Sequence, residues 1–243
     1  EGMLQRLNGM FAISIYDFEK KKMYLIRDRF GIKPLYLLKN ENYIAFSSEI
    51  KSFKALPNYK LRLDKRKLDE FLLFRYVVKD TLFEDIVNCA PGTYTEINTK
   101  GQIIIHTYYN INNEGQKKIE SNLVMESFEK TLQQSVNSQM ISDVKLGCQL
   151  SGGLDSSLIT YFAKNDSIKN QLETISIVFD DPEYSEKKWI DMVVSKLNLI
   201  SHQYKMDGDY FFNVLNDAIW HFENPISHPN SLGIYLLSKE AKK

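Results

Sequence analysis

The sequence predicts two domains of different class, an α+β domain built on antiparallel strands followed by an α/β domain built on a parallel sheet. Three observations carry that prediction. The first half is a series of short β-branched and aromatic runs broken by charged or Gly/Pro turns, as in "MFAISIYD", "MYLIRD" and "RFGIKP". A polar stretch, "NINNEGQKKIESN", then carries almost no apolar period and reads as a boundary. Beyond it helical and strand patterns alternate, the signature of βαβ units and parallel pairing. The expected organisation is one domain over 1–110, a linker over 111–122 and a second domain over 123–243.

Taken in order, Met10–Asp17 is a strand that stops at the charged turn Glu19–Lys22, and Met23–Asp28 is its hairpin partner. "RFGIKP" then bends the chain, with Gly31 free to take a positive φ and Pro34 closing the turn. "LYLLK" and "YIAFS" flank Asn40-Glu41-Asn42 as a second hairpin. The four strands together read as one antiparallel meander whose apolar faces need a second layer. Ser47–Leu56 switches to helical spacing with Ser47 or Ser48 as its cap, and another helix follows Leu63 with Asp64 in capping position. "APGTYTEINTKGQIIIHTYY" holds two more strands around the Lys100-Gly101 turn. In the second half helices are expected at Leu123–Met140, Ser156–Lys164, Tyr184–Leu197 and Tyr210–Phe222, and in the closing "YLLSKEAKK". Strands are expected at Val144–Leu150, Glu173–Phe179 and His202–Met206.

Composition excludes several function classes. The 31 basic residues balance 31 acidic ones, so no whole-chain field draws nucleic acid or an anionic membrane. The longest apolar runs, Phe71–Phe74 and Tyr76–Val78, are split by Arg75 and fall far short of the roughly 20 residues of a membrane span. No signal peptide opens the chain. Two cysteines, Cys89 and Cys148, make no disulfide framework and suit a reducing cytoplasm. The four histidines, His106, His202, His221 and His228, lack zinc-ligand spacing, although His221 and His228 flank "FENPIS". The chain starts at Glu1 without an initiator methionine and ends in a helical pattern, which reads as an excerpt of a longer protein.

Chemistry concentrates in "LSGGLDSS", from Leu150 to Ser157. The loop leaves the carboxyl end of an apolar strand and opens a helix, the place where parallel sheets bind ligands. Gly152 and Gly153 allow a sharp turn that presents bare N–H groups, and the helix N-terminus adds roughly half a positive charge. Ser151, Ser156 and Ser157 supply hydroxyl donors, so a phosphate group fits. Asp155 would repel that phosphate unless a cation stands between them, and Mg²⁺ held by one carboxylate plus phosphate oxygens resolves the conflict. The lysine of a Walker A loop is missing. Capping of the helix by Asp155 or Ser156 alone would not call for two glycines and three serines together.

"SGGLDSS" resembles the pyrophosphate loop of the N-type ATP pyrophosphatases, which split ATP into AMP and pyrophosphate. "RLNGMFAISIYD", "IRDRFGIKPLYL" and "FSSEIKSF" look like the later part of a class II, N-terminal-nucleophile (Ntn-type) glutamine amidotransferase domain, and "APGTY" resembles the segment that closes it. "PISHPNSLGIYLLSKEA" resembles a stretch of a synthetase domain. That order of pieces is similar to the glutamine-dependent asparagine synthetases of the asparagine synthetase B type.

The resemblance implies a partial Ntn-type domain followed by an adenine nucleotide alpha hydrolase-like (ATP pyrophosphatase) domain. It implies that the first domain hydrolyses glutamine and passes ammonia through a tunnel. In the second, ATP activates the side-chain carboxylate of aspartate as an acyl-adenylate, pyrophosphate leaves, and ammonia attacks to give asparagine and AMP. Ser151, Gly152, Gly153, Asp155, Ser156 and Ser157 would hold pyrophosphate, with Asp155 bearing on Mg²⁺ through the phosphates. Gln149 and Ile177 correspond to the family's adenosine contacts. The implied partners are small molecules (ATP, aspartate or another carboxylate, and glutamine), with a homodimer left open and neither nucleic acid nor membrane involved.

Other conspicuous residues read structurally. Asp180, Asp181 and Glu183 follow the second strand and suit turn and capping roles. Arg27, Asp28, Arg29 and Lys33 support the fold, and Cys148 packs on a buried strand. The family's N-terminal cysteine nucleophile has no counterpart at Glu1, so no catalytic residue for glutamine hydrolysis is assigned, and the chain by itself is expected to be inactive. Where these synthetases commonly carry Asp-Glu-Pro, this chain has Glu223-Asn224-Pro225, which keeps amidation of a sugar or glycan carboxylate open. A β-lactam synthetase-like cyclase and a non-catalytic ATP-binding module are the remaining alternatives.

Overall fold

The computed structural model describes residues 2–78, 80–111, 120–166, 172–181, 183 and 185–242. The expected linker therefore lies, except at its ends, outside the described residues. Two units account for the chain, Glu1–Gly115 with Glu223–Ser227, and Gln116–Phe222 with His228–Lys243.

In the first unit a short helix, α1 (Gly2–Arg6), precedes the hairpin β1 (Ala12–Asp17) and β2 (Lys22–Arg27), paired from Ala12↔Arg27 to Asp17↔Lys22. The expected four-strand meander is not formed. β3 (Tyr36–Lys39) and β4 (Ile44–Ser47) build a second antiparallel sheet. The open edge of β2 is taken instead by a strand from much later in the chain. The cause lies in the buried pair Arg27 and Asp28. The Asp28 carboxylate, 1% exposed, accepts from the amides of Phe30, Ile32 and Lys33 at 2.9–3.1 Å and from that of Phe11 at 3.3 Å. The Arg27 guanidinium donates to the carbonyls of Gly31, Lys33 and Cys89. Gly31, at φ +66, would carry a Cβ 2.8 Å from the Pro91 ring, so only glycine fits this turn. The chain is thus held in a turn that leads away from β2 instead of back along it. Arg29 lies with its guanidinium 5.1 Å over the Tyr109 ring. The structural reading of Arg27, Asp28 and Arg29 agrees with these contacts.

The expected helix over 47–56 is a 3₁₀ helix, Ile50–Ala55, and neither Ser47 nor Ser48 caps it. Ser47 Oγ accepts from the Glu49 amide, ahead of the helix. The first two amides of the helix, Ile50 and Lys51, donate instead to the two carboxylate oxygens of Glu223, at 2.7 and 2.6 Å. Asp64 does cap as expected, accepting from the Arg66 amide at 3.1 Å. It starts a 3₁₀ turn, Lys65–Lys67, that runs into α2 (Leu68–Phe74), which ends where Arg75 turns left-handed at φ 63. β5 (Ile86–Asn88), which the sequence did not predict, pairs with β3, so the second sheet runs β4-β3-β5. β6 (Thr93–Asn98) and β7 (Ile103–Thr107) form about the Lys100-Gly101 turn and complete the first sheet, β1-β2-β6-β7.

β3 has its two faces in two cores. Leu37 packs with Leu25, Ile97 and Cys89, while Leu38 packs with Ile50, Phe53 and Ile86. That two-sided burial explains why "LYLLK" is a continuous apolar run and not an alternating one.

The second unit opens with α3 (Ser121–Gln139), and β8 (Gly147–Gln149), α4 (Leu154–Asp166), β9 (Glu173–Val178), α5 (Lys187–Leu197) and β10 (Ile200–Lys205) then alternate. β8 and β10 both pair with β9 in parallel, giving the order β10-β9-β8. Val136, Phe162, Ala163, Leu172 and Leu199 form the core beneath this sheet. α6 (Gly208–Phe222) and α7 (Asn230–Ala241) follow. Gly233 sits inside α7, where glycine is about 1 kcal/mol less favourable than alanine. Among the described residues no helix is long and apolar enough to cross a membrane.

Candidate functional site

The chain is anchored to β9 up to the last residue before the glycine turn. Leu150 is buried, its amide donates to the Ile175 carbonyl at 3.0 Å, and its own carbonyl accepts from Ser176 Oγ at 2.6 Å. Gly152 then takes φ +86. A Cβ at that position would stand 3.0 Å from the Trp189 Cβ and 3.2 Å from the Glu186 carbonyl and the Ile190 amide. Glycine is required there by conformation and by the close passage of the start of α5. At Gly153 a Cβ would meet only Ser151 Oγ, at 3.4 Å, so its bareness relieves no clash and leaves the backbone open.

The three hydroxyls knit the turn. Ser151 Oγ and Ser156 Oγ lie 3.0 Å apart, and the Gly153 amide donates to Ser151 Oγ at 3.3 Å. Ser156 Oγ and Ser157 Oγ donate to the Gly153 carbonyl at 3.1 and 2.7 Å. The Ser157 amide makes the first helical bond of α4, to the same carbonyl. Among the described residues the amides of Gly152, Leu154, Asp155 and Ser156 find no hydrogen-bond partner, which leaves a row of bare donors at the positive end of a 13-residue helix. Asp155, the acidic residue in the first turn of α4, is exposed and makes no ion pair among the described residues. The turn is therefore open, donor-rich and faced by one idle carboxylate.

A cleft of about 400 Å³ adjoins the turn. Gln149, Ser151 and Ser156 line it beside the loop, and Ile177, Phe179 and Gly233 line it beyond. Four of the eight predicted residues thus share one cleft, and Gly152, Gly153, Asp155 and Ser157 form the turn at its side. Sequence reasoning missed Phe179, Glu186, Asn230 and Gly233 as cleft residues. For Asn230 and Gly233 the signal available was the stretch "PISHPNSLGIYLLSKEA", which contains both.

The neighbouring polar residues hold structure. Asp181 Oδ1 accepts from the Glu183 amide at 2.9 Å, and Asp180 pairs with Lys205 at 2.6 Å. His228 Nδ1 accepts from the Asn230 amide at 3.3 Å, and the His221 ring lies 5.6 Å from that of Tyr235. Burial pushes the Cys89 thiol up to about 11, against the pull of Arg27. Burial also raises Cys148, against a Thr160 hydrogen bond. Neither thiol is readily ionised near neutral pH. Among the described residues no three His, Cys, Asp or Glu side chains converge as a metal site.

The class is that of a glutamine amidotransferase domain followed by an asparagine synthase domain. Residues 1–109 match the glutamine amidotransferase domain family and residues 127–243 the asparagine synthase family. Together the two matches span most of the chain, and the relatives it resembles include glutamine-hydrolysing asparagine synthetases. It is similar to asparagine synthetase [glutamine-hydrolyzing] 1 of Bacillus subtilis, 33% identical over 100% of this chain and 38% of that protein. Asparagine synthetase [glutamine-hydrolyzing] 2 of the same organism is 30% identical over 99% of this chain and 34% of its own length. Amidase chry2 of Gibberella zeae is 24% identical over 97% of this chain and 37% of its own length. The chain spans a little over a third of the length of these curated relatives.

Proposed function

We propose that the second unit binds ATP with Mg²⁺, the phosphates on the Ser151–Ser157 turn and the adenosine in the adjoining cleft against Gln149 and Ile177. On this reading the chain belongs to a protein that makes asparagine from aspartate, ATP and glutamine-derived ammonia. Its working domains are a partial Ntn-type amidotransferase over 1–110 and an adenine nucleotide alpha hydrolase-like synthetase over 123–243. The row of unpartnered amides at the start of α4, beside an idle Asp155, is the observation that supports this most. Bare donors in a rigid turn stabilise the charge that grows on departing pyrophosphate when a carboxylate attacks the α-phosphate. Ser151, Ser156 and Ser157 hold the turn in shape through their own hydrogen bonds and would rotate their hydroxyls to reach phosphate oxygens, and Gly152 lets the turn pass close to α5 without displacing it. The donor set fits Mg²⁺ shared between Asp155 and phosphate oxygens, not an all-protein metal cage, and the ion would neutralise charge between Asp155 and the phosphates. Glutamine hydrolysis is assigned to neither Cys89, which is buried, nor Cys148, which is partly buried, since desolvation holds both thiols away from the ionised form.

Calorimetry tests the reading. ATP is expected to bind this chain only with Mg²⁺ present, and Asp155→Ala to weaken that binding by about tenfold or more. Equal binding by wild type and Asp155→Ala, or binding indifferent to Mg²⁺, refutes it. Aspartate-dependent exchange of pyrophosphate into ATP by the full-length protein then tests the acyl-adenylate step and the choice of acceptor.

A further inference from the structure

α7 passes β9 at a point where no side chain fits. A Cβ at Gly233 would lie 2.8 Å from Ile177 Cδ1, closer than real carbon contacts allow. Gly233 is buried, while Ile177 is half-buried and reaches the same cleft. Helix propensity alone favours alanine at this position, the fourth residue of a 12-residue helix. The glycine is therefore explained by space and not by backbone conformation, since it lies within regular helix.

We propose that Gly233 determines the fit of the nucleobase: its missing side chain lets Ile177 lie back against α7, and so keeps open a slot for a flat purine ring between β9 and that helix. This deepens, and rests on, the reading of the cleft as a nucleotide site. The clashing atom is the end of a side chain, so an added methyl would not unfold α7. It would push Ile177 Cδ1 into the space the ring needs. The consequence is specific to the base, because the phosphate turn is built by Ser151–Ser157 and does not touch Gly233.

The test is a double-mutant cycle of Gly233→Ala and Ile177→Val on this chain, read with two ligands, Mg²⁺–ATP and Mg²⁺–tripolyphosphate. Gly233→Ala is expected to weaken ATP by roughly tenfold, the scale of one overpacked methyl, while leaving tripolyphosphate unchanged. Ile177→Val removes the clashing carbon, so the double variant is expected to recover most of the lost ATP affinity. Melting curves show that each variant is folded. If wild type binds ATP and Gly233→Ala binds it equally well, or if the folded double variant does not recover, the slot is refuted and the nucleotide site stands. If wild type binds neither ligand, the nucleotide reading falls and the slot falls with it.

Discussion

Two turns of this protein carry an aspartate just after a strand, and they use it in opposite ways. After β2, Asp28 is buried and takes four backbone amides, two on each oxygen of its carboxylate. After β8, Asp155 is exposed and unpaired among the described residues, while amides around it lack partners. A saturated acid is part of the fold. An idle acid beside idle donors is what the proposed nucleotide site would satisfy. Glu223 sides with Asp28. Its carboxylate, 9% exposed, receives two amides and stands 3.6 Å from Lys51 Nζ, although its backbone is left-handed at φ 58. The retained acid of "Glu-Asn-Pro" thus faces backbone amides.

The sharpest break of the comparison is Asp28→Ala. It strands four donors in a buried turn and is expected to destabilise the protein by about 3 kcal/mol in denaturant titrations. Glu223→Ala is expected to cost about 1–2 kcal/mol, the scale of a lost N-cap, and a cost near zero would remove Glu223 from the structural set. Asp155→Ala is expected to leave stability within about 0.5 kcal/mol of wild type while losing Mg²⁺–ATP. A large loss of stability there would place Asp155 with Asp28.

A pH titration separates the acids without mutating the site. Burial pushes the Asp28 carboxyl up, yet its four backbone hydrogen bonds outweigh that and hold it below the ordinary carboxylate range. A depressed native value means that the unfolded chain takes up the proton first as pH falls. The stability Asp28 contributes is therefore complete above the ordinary carboxylate range and drains away as pH drops through its lowered native value. Melting temperatures of Asp28→Asn are expected to fall less steeply than wild type over that acid range. Parallel acid limbs would show that Asp28 is not a source of the acid sensitivity.

Much of the second unit was legible because its signals are local. Helical and strand periods place α3 to α6 and β8 to β10 within a few residues, and the Gly-Gly and Ser-Ser spacing marks the turn by its own bond-forming capacity. The first unit was legible strand by strand but not as a sheet. β1 and β2 pair as their turn directs, but nothing near β2 tells that its other edge waits for β6. β5 is three residues long, too short for a period of two to register.

By itself the sequence determined most of the elements and the bond-forming groups of the Ser151–Ser157 turn, since these depend on neighbours along the chain. Tertiary structure alone decided that β6 closes the first sheet, that Glu223 caps a helix 173 residues away, and that Gly233 meets Ile177. Those outcomes rest on atoms meeting through space. A residue's own type and spacing do not record which distant partner will satisfy its hydrogen bonds or crowd its Cβ.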